Sequence, residues 1–226
     1  MRSLVCLIAL ALGWGVRSSV ADTKPTGRVT GKVKVTEADG KPTTGAEVIV
    51  YVVGFSERPA ANASVTIEQR GRRFVPELVA VTLGGKVNFP NKDAFLHNVF
   101  SQSSSRKFDL GSFKKGESKT KEFPSPGAVD VYCNIHPEMA ATILVVPNQR
   151  HTRTAADGTF TLDGVPPGNW TVFAYTRRAP KPVSAKVVIT AGADSKVDFA
   201  IQRGAEPEHL NKYGEKYRAG APNTYR

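Results

Sequence analysis

The sequence predicts an all-β protein with a Greek-key sandwich at its centre, on three observations. Apolar residues recur at every second position over short runs, as strands with one buried face require. Turn residues separate those runs at regular spacing: the 226 residues include 20 Gly and 15 Pro, enough to punctuate many short strands. No stretch carries the 3.6-residue apolar period of a long helix. A hydrophobic fraction of 40% with 23% charged residues suits a soluble globular chain. The length allows one large or two small domains.

Residues 1–21 read as an export signal. Arg2 gives a positive start, Leu4 to Val16 is mostly apolar, and Ser19-Val20-Ala21 is a small-residue cleavage site. The apolar run is short and broken by Gly13, Gly15 and Arg17, so it is not expected to span a bilayer. No later stretch is long and apolar enough either. The mature chain is therefore expected to be exported, periplasmic or extracellular, with no transmembrane segment.

Residues 22–58 begin with two strands. In Gly27 to Thr36, Val29, Val33 and Val35 alternate with polar residues. Ala38-Asp39-Gly40-Lys41-Pro42 supplies a turn. Glu47 to Val53 (EVIVYVV) is almost continuously apolar and β-branched, which fits a strand covered on both faces.

Residues 59–148 form a middle unit, whose strands start at Ser64–Gln69. Glu77–Thr82 and Lys86–Phe89 follow, turned by Gly84-Gly85. The loop Pro90-Asn91-Lys92-Asp93 leads to His97, and Asn98–Ser101 continues as a strand. Phe108–Gly111 is a short ordered stretch. Thr120–Phe123 and Ala128–Tyr132 flank the turn Pro124-Ser125-Pro126-Gly127, and Ala141–Val146 closes the unit. About eight short strands with regular turn signals indicate a Greek-key sandwich.

Residues 149–202 form a second run of strands. Thr159–Leu162 leads into a turn at Gly164–Gly168. Asn169–Thr176 then puts Trp170, Val172 and Ala174 on one face. Two further alternating strands carry Val183 to Ile189 and Val197 to Ile201. Residues 203–226 read as a polar surface tail, with Tyr213, Tyr217 and Tyr225 available to pin it to a domain.

The chemistry concentrates in Tyr132-Cys133-Asn134-Ile135-His136-Pro137-Glu138-Met139, with His97 upstream. Once the signal and its Cys6 are removed, Cys133 is the only cysteine. It has no intramolecular disulfide partner in an oxidising compartment. A buried thiol or a metal ligand would account for it. One Cys, two His and a weak Met make the ligand set of a mononuclear copper electron-transfer centre. Soft sulfur suits Cu(I) and imidazole suits both oxidation states. Structural zinc commonly takes more cysteines than this chain offers. A Cys nucleophile paired with His stays open on spacing alone. His151 and His209 are expected to be solvent-exposed and unligated.

Residues 64–147 resemble a small cupredoxin of the plastocyanin, pseudoazurin and amicyanin kind. The resemblance rests on Phe74-Val75-Pro76, Gly85 to Asn91, His97-Asn98-Val99, Pro126-Gly127, and Tyr132-Cys133 with His136 and Met139. The two residues between His136 and Met139, with Pro137 after the His, are similar to amicyanin loops. The resemblance implies one type 1 copper ion held by His97, Cys133, His136 and Met139. It also implies that Asn98 braces the ligand loop and that the His136 edge serves as the electron port. Asn134 and Ile135 depart from the Ser or Thr then Pro common in relatives, which bears on the potential. The flanks resemble a carboxypeptidase regulatory-like, transthyretin-like β-domain. That likeness lies in Gly27-Arg28-Val29-Thr30-Gly31, Gly45 to Val48, and Asp157–Phe160 through Pro166–Val172. The cupredoxin sandwich is accordingly expected to be inserted in a small transthyretin-like β-sandwich.

The formal charge of +11 falls by two to +9 when Arg2 and Arg17 leave with the signal. That excess fits an acidic protein redox partner, such as a cytochrome or dehydrogenase, or simple solubility. Lys86 and Lys92 lie near the ligand loops in sequence. The basic residues are scattered and match no nucleic-acid motif. Single-electron transfer makes and breaks no bond, so enzyme activity is not expected. Copper delivery and a structural surface role stay open as other classes.

Overall fold

A computed structural model describes residues 25–217. Residues 1–21, read from the sequence as an export signal, lie outside the described residues, as do 218–226 with Tyr225. The fold is all-β, and no helix among the described residues is long and apolar enough to cross a membrane.

Among the described residues eighteen strands follow one another. The first two are β1 (Gly27–Thr36) and β2 (Val48–Val53). Ten more make the middle of the chain: β3 (Ser64–Thr66), β4 (Glu68–Gln69), β5 (Phe74–Val75), β6 (Leu78–Thr82), β7 (Lys86–Pro90), β8 (His97–Ser101), β9 (Phe108–Phe113), β10 (Ser118–Glu122), β11 (Gly127–Tyr132) and β12 (Ala140–Val146). The last six are β13 (His151–Arg153), β14 (Thr159–Val165), β15 (Gly168–Thr176), β16 (Val183–Ile189), β17 (Asp194–Lys196) and β18 (Phe199–Gln202).

The pairing divides these strands into two sets. β1 pairs with β14, β17 and β18, while β2 pairs with β13 and β15, which in turn pairs with β16. These two sheets enclose a core that includes Val29, Val33, Val50, Val52, Leu162 and Val172. The strands between them pair among themselves, in the orders β10-β7-β3 and β6-β12-β11-β8-β9, with β4 on β5. Their core is larger in side-chain volume and includes Phe74, Phe89, Phe113, Phe123 and Ile143.

A third apolar cluster joins the sets. The even-numbered residues of β2, Val48, Val50 and Val52, enter the first core. The odd-numbered Ile49 and Tyr51 point the other way, onto Leu78, Ala80, Leu144 and Val146 of β6 and β12. Period-two geometry thus explains why β2 carries no polar face. Tyr51 also stacks on Phe173 with ring centroids 5.3 Å apart. Around this joint Arg153 pairs with Glu47 at 3.0 Å, and Arg177 pairs with Glu77 at 3.0 Å. Asn148, fully buried, donates to the carbonyls of Val52 and Phe55 at 2.9 and 3.0 Å.

The strand bounds differ from expectation in places. Ser64–Gln69 breaks at Ile67, which is wholly buried, and the chain passes from pairing with β7 to pairing with β5. β9 runs on to Phe113 through Gly111, whose φ of 67° admits glycine without strain. Val165 is not part of a turn: it pairs with Gly27, leaving Pro166-Pro167 as the link to β15. His151 and His209 are not solvent-exposed. His151 lies opposite Tyr51 on β13, and His209 stacks on Tyr132 at 3.9 Å, so both are partly buried.

Candidate metal centre

Strand order places the site. β8 begins at His97 and β11 ends at Tyr132, and the two are neighbours in one sheet with Tyr132 opposite Phe100. Both strands therefore deliver their terminal residues to the same end of the sandwich. The loop from Cys133 to Met139 closes on itself there. The Met139 N–H donates to the His136 carbonyl at 3.0 Å, and the Cys133 N–H donates to the Met139 carbonyl at 3.3 Å. β12 then leaves from Ala140, directly opposite Tyr132.

His97, Cys133 and His136 converge, all three buried. The two Nδ1 atoms lie 3.1 Å apart, and the Cys133 sulfur is 3.9 Å from one and 3.8 Å from the other. A point equidistant from these atoms is about 2.1 Å from each, within the roughly 2.0–2.3 Å typical of metal bonds to imidazole nitrogen and thiolate sulfur. The donor set therefore fits a single first-row metal ion. Met139 is 1% exposed and packs in the same core cluster as Cys133.

The surroundings prepare these atoms for a cation. Burial lowers the pKa of both imidazoles, so at neutral pH each ring keeps a free nitrogen lone pair. His97 has its other nitrogen, Nε2, 2.8 Å from a carboxylate oxygen of Asp93. That contact assigns the ring proton to Nε2 and turns the Nδ1 lone pair toward the site. Burial pushes the Cys133 thiol up, opposed by N–H bonds to its sulfur from Asn98 at 3.5 Å and Ile135 at 3.4 Å. A metal ion held there would displace the thiol proton.

Asn98 touches the loop twice. Besides its backbone bond to sulfur, its side-chain oxygen accepts from the Asn134 N–H at 3.3 Å. Its amide donates to Asp109 at 2.7 Å, which fixes the orientation of the side chain.

Three contributors were not singled out by sequence reasoning. Asp93 accepts the N–H groups of Gly71 and Arg72 at 2.8 and 3.0 Å, so its carboxylate is held still for His97. Asn91, fully buried, receives the Asp93 N–H at 2.9 Å and donates to the Phe95 and Phe113 carbonyls. Phe95 lies 5.1 and 5.4 Å from the His97 and His136 rings and carries the Arg72 guanidinium over its face at 5.2 Å. The one available signal was an Asp four residues before His97 in a polar loop. With Phe95 in place, His97 is 0% exposed and His136 only 5%, so any route to solvent runs by His136.

No family model matches the chain, and no curated protein does. Among solved structures, a Cu(I) amicyanin variant is similar at 19% identity and a TM-score of 0.35, over 43% of this chain and 98% of that one. A purple cupredoxin from Nitrosopumilus maritimus is similar at 21% identity and a TM-score of 0.33, over 38% of this chain and all of that one. A copper-containing nitrite reductase from Thermus scotoductus is similar at 24% identity and a TM-score of 0.36, over 42% of this chain and 25% of that one.

Proposed function

We propose that this chain is an exported cupredoxin-type electron carrier with one type 1 copper ion. His97, Cys133 and His136 would hold the ion through two Nδ1 atoms and the sulfur, with Met139 as a weak fourth ligand. The observation that carries this reading is the triangle of buried donors, whose spacing fits one ion and whose chemistry mixes soft and intermediate ligands. The ion, when bound, supplies a one-electron couple.

The protein's own residues supply the rest. Asp93 fixes the His97 tautomer. Backbone N–H groups of Asn98 and Ile135 point at the sulfur and stabilise its negative charge. Phe95 and Ile135 exclude water from the ligands. The His136 edge is the exit for an electron, and an acidic redox protein is the partner that the basic chain fits. The outer strands, β1–β2 with β13–β18, would be a transthyretin-like host into which the copper sandwich is inserted. Their mutual pairing across the intervening residues supports that arrangement.

Copper loading of the mature chain tests the function. The expected result is an intense visible thiolate-to-copper band, a reversible one-electron wave, and loss of both in Cys133→Ser. Full copper occupancy without colour or wave would replace the carrier reading with copper delivery. No copper binding at all would leave a structural role.

A further inference from the structure

The segment that follows β18 does not trail away from the body of the protein. It crosses from the joint between the two strand sets to the ligand loop. Near its start Glu206 pairs with Arg177, which also holds Glu77. From there the chain reaches the far end of β11, where three polar contacts fall on the ligand loop or on Asp109, which holds Asn98, and a fourth falls on Gln102. The Tyr217 hydroxyl donates to the Cys133 carbonyl at 3.0 Å. The Lys212 N–H donates to the Asn134 side-chain oxygen at 2.9 Å. The Lys212 ammonium pairs with Asp109 at 2.8 Å, the same carboxylate that orients Asn98. Gln102, just after β8, donates to the Lys212 carbonyl at 2.9 Å. Between these contacts His209 stacks on Tyr132 and meets the Tyr217 ring edge-on at 5.3 Å.

Two features make this more than incidental packing. Three of the polar contacts end on Cys133 itself, on its neighbour Asn134, or on the Asp109 carboxylate that orients Asn98, whose own N–H donates to the Cys133 sulfur. The segment also buries little apolar surface of its own: Leu210 is 48% exposed and Tyr213 72%. It is held by directional bonds and aromatic contacts rather than by a core, so each bond is a separable constraint.

We infer that residues 209–217 are a strap that positions the Cys133 loop, with Tyr217 and Lys212 as positioning residues for the metal centre. Tyr217 fixes the Cys133 backbone, and Lys212 fixes Asn134 directly and Asn98 through Asp109. Asn98 delivers one of the two N–H bonds to the sulfur, so the strap bears on both the position of that atom and its electronic surroundings. The significance for copper rests on the proposed function, whereas the hold on the loop does not.

The test uses a chain ending at Pro207 and the full-length variants Tyr217→Phe and Lys212→Met. In metal-free protein, iodoacetamide alkylation of Cys133 at fixed pH is expected to rise about ten-fold in the shortened chain. In each point variant it is expected to rise about three- to ten-fold, the range that loss of one hydrogen bond gives. In copper-loaded protein, Tyr217→Phe is expected to shift the visible band and speed copper loss to a chelator, with the melting temperature of the metal-free variant lowered by no more than about 4 °C. Wild-type alkylation rates in all three proteins would overturn the inference, as would an unshifted band with wild-type copper retention. If the shortened chain does not fold, the point variants decide, since each removes one polar group from a partly exposed residue. Because alkylation is read without metal, a wild-type protein that fails to bind copper refutes the functional reading and leaves the strap to be judged by alkylation alone.

Discussion

Replacing Asp93 with asparagine should weaken metal binding without unfolding the protein. The carboxylate accepts three hydrogen bonds, from the N–H groups of Gly71 and Arg72 at 2.8 and 3.0 Å and from His97 Nε2 at 2.8 Å. An amide has one oxygen and one NH₂ group, so it cannot face all three donors. If its oxygen turns to the backbone, the NH₂ meets Nε2 and favours the tautomer with a proton on Nδ1, the atom that must bind metal. If the oxygen turns to His97, the NH₂ faces a backbone N–H and the loop must shift. Loss of such an outer partner costs about 10- to 100-fold in metal affinity, or about 1.4–2.7 kcal/mol. The measurement is a competition titration with a chelator of known copper affinity, on wild type and Asp93→Asn. Near-ultraviolet circular dichroism checks that the fold is intact. An unchanged affinity in a folded variant would refute the assigned His97 tautomer and the role given to Asp93.

Three other outcomes follow from the packing and the charges. Gly31→Ala should destabilise strongly in chemical denaturation, because a Cβ there would lie 1.7 Å from the Val197 carbonyl oxygen, a backbone atom that cannot move alone. Leu78→Ala, in the cluster that joins the strand sets, should cost about 2–5 kcal/mol in the same assay. Asp93 and Asp109 should both contribute to acid sensitivity. Burial pushes each pKa up, but hydrogen bonds, from Arg72, His97 and Gly71 to one and from Lys212, Gly111 and Asn98 to the other, hold both below the ordinary carboxylate value. A lowered folded-state pKa gives stability that is present above the unfolded value and lost as pH falls through the folded one. The melting temperature of metal-free wild type should therefore drop on acidification below the usual carboxylate range, and Asp93→Asn with Asp109→Asn should flatten that slope.

The four proposed ligands were legible because few residue types do this chemistry and three of them fall on one short loop. What a local pattern cannot carry is the partner that folding brings from elsewhere. Asp93 looks like any acid in a polar loop until Gly71 and Arg72 arrive to hold it. The uninterrupted apolar run of β2 announced two covered faces, yet nothing in it names Leu78 and Leu144 as the second cover. His209 had no apolar run around it to predict burial. It is partly covered by a flat ring, Tyr132, more than seventy residues away in sequence. The tail showed only tyrosines able to anchor it. Which backbone carbonyl Tyr217 finds depends on where the ligand loop ends in space.

The two-sided strand β2 has a further consequence for how the molecule behaves as a whole. Alternate residues of one six-residue strand belong to different cores, so neither core can be dismantled without uncovering part of the other. If β2 leaves its sheet, β6 and β12 lose the floor beneath Leu78, Ala80, Leu144 and Val146. If the middle strands open, Ile49 and Tyr51 face water from the outer sheet. The candidate metal centre is thus borne by a unit that shares its foundation with the flanking strands. Heating should melt the two together in a single calorimetric transition, and a ligand that tightens the site should raise the stability of strands far from it.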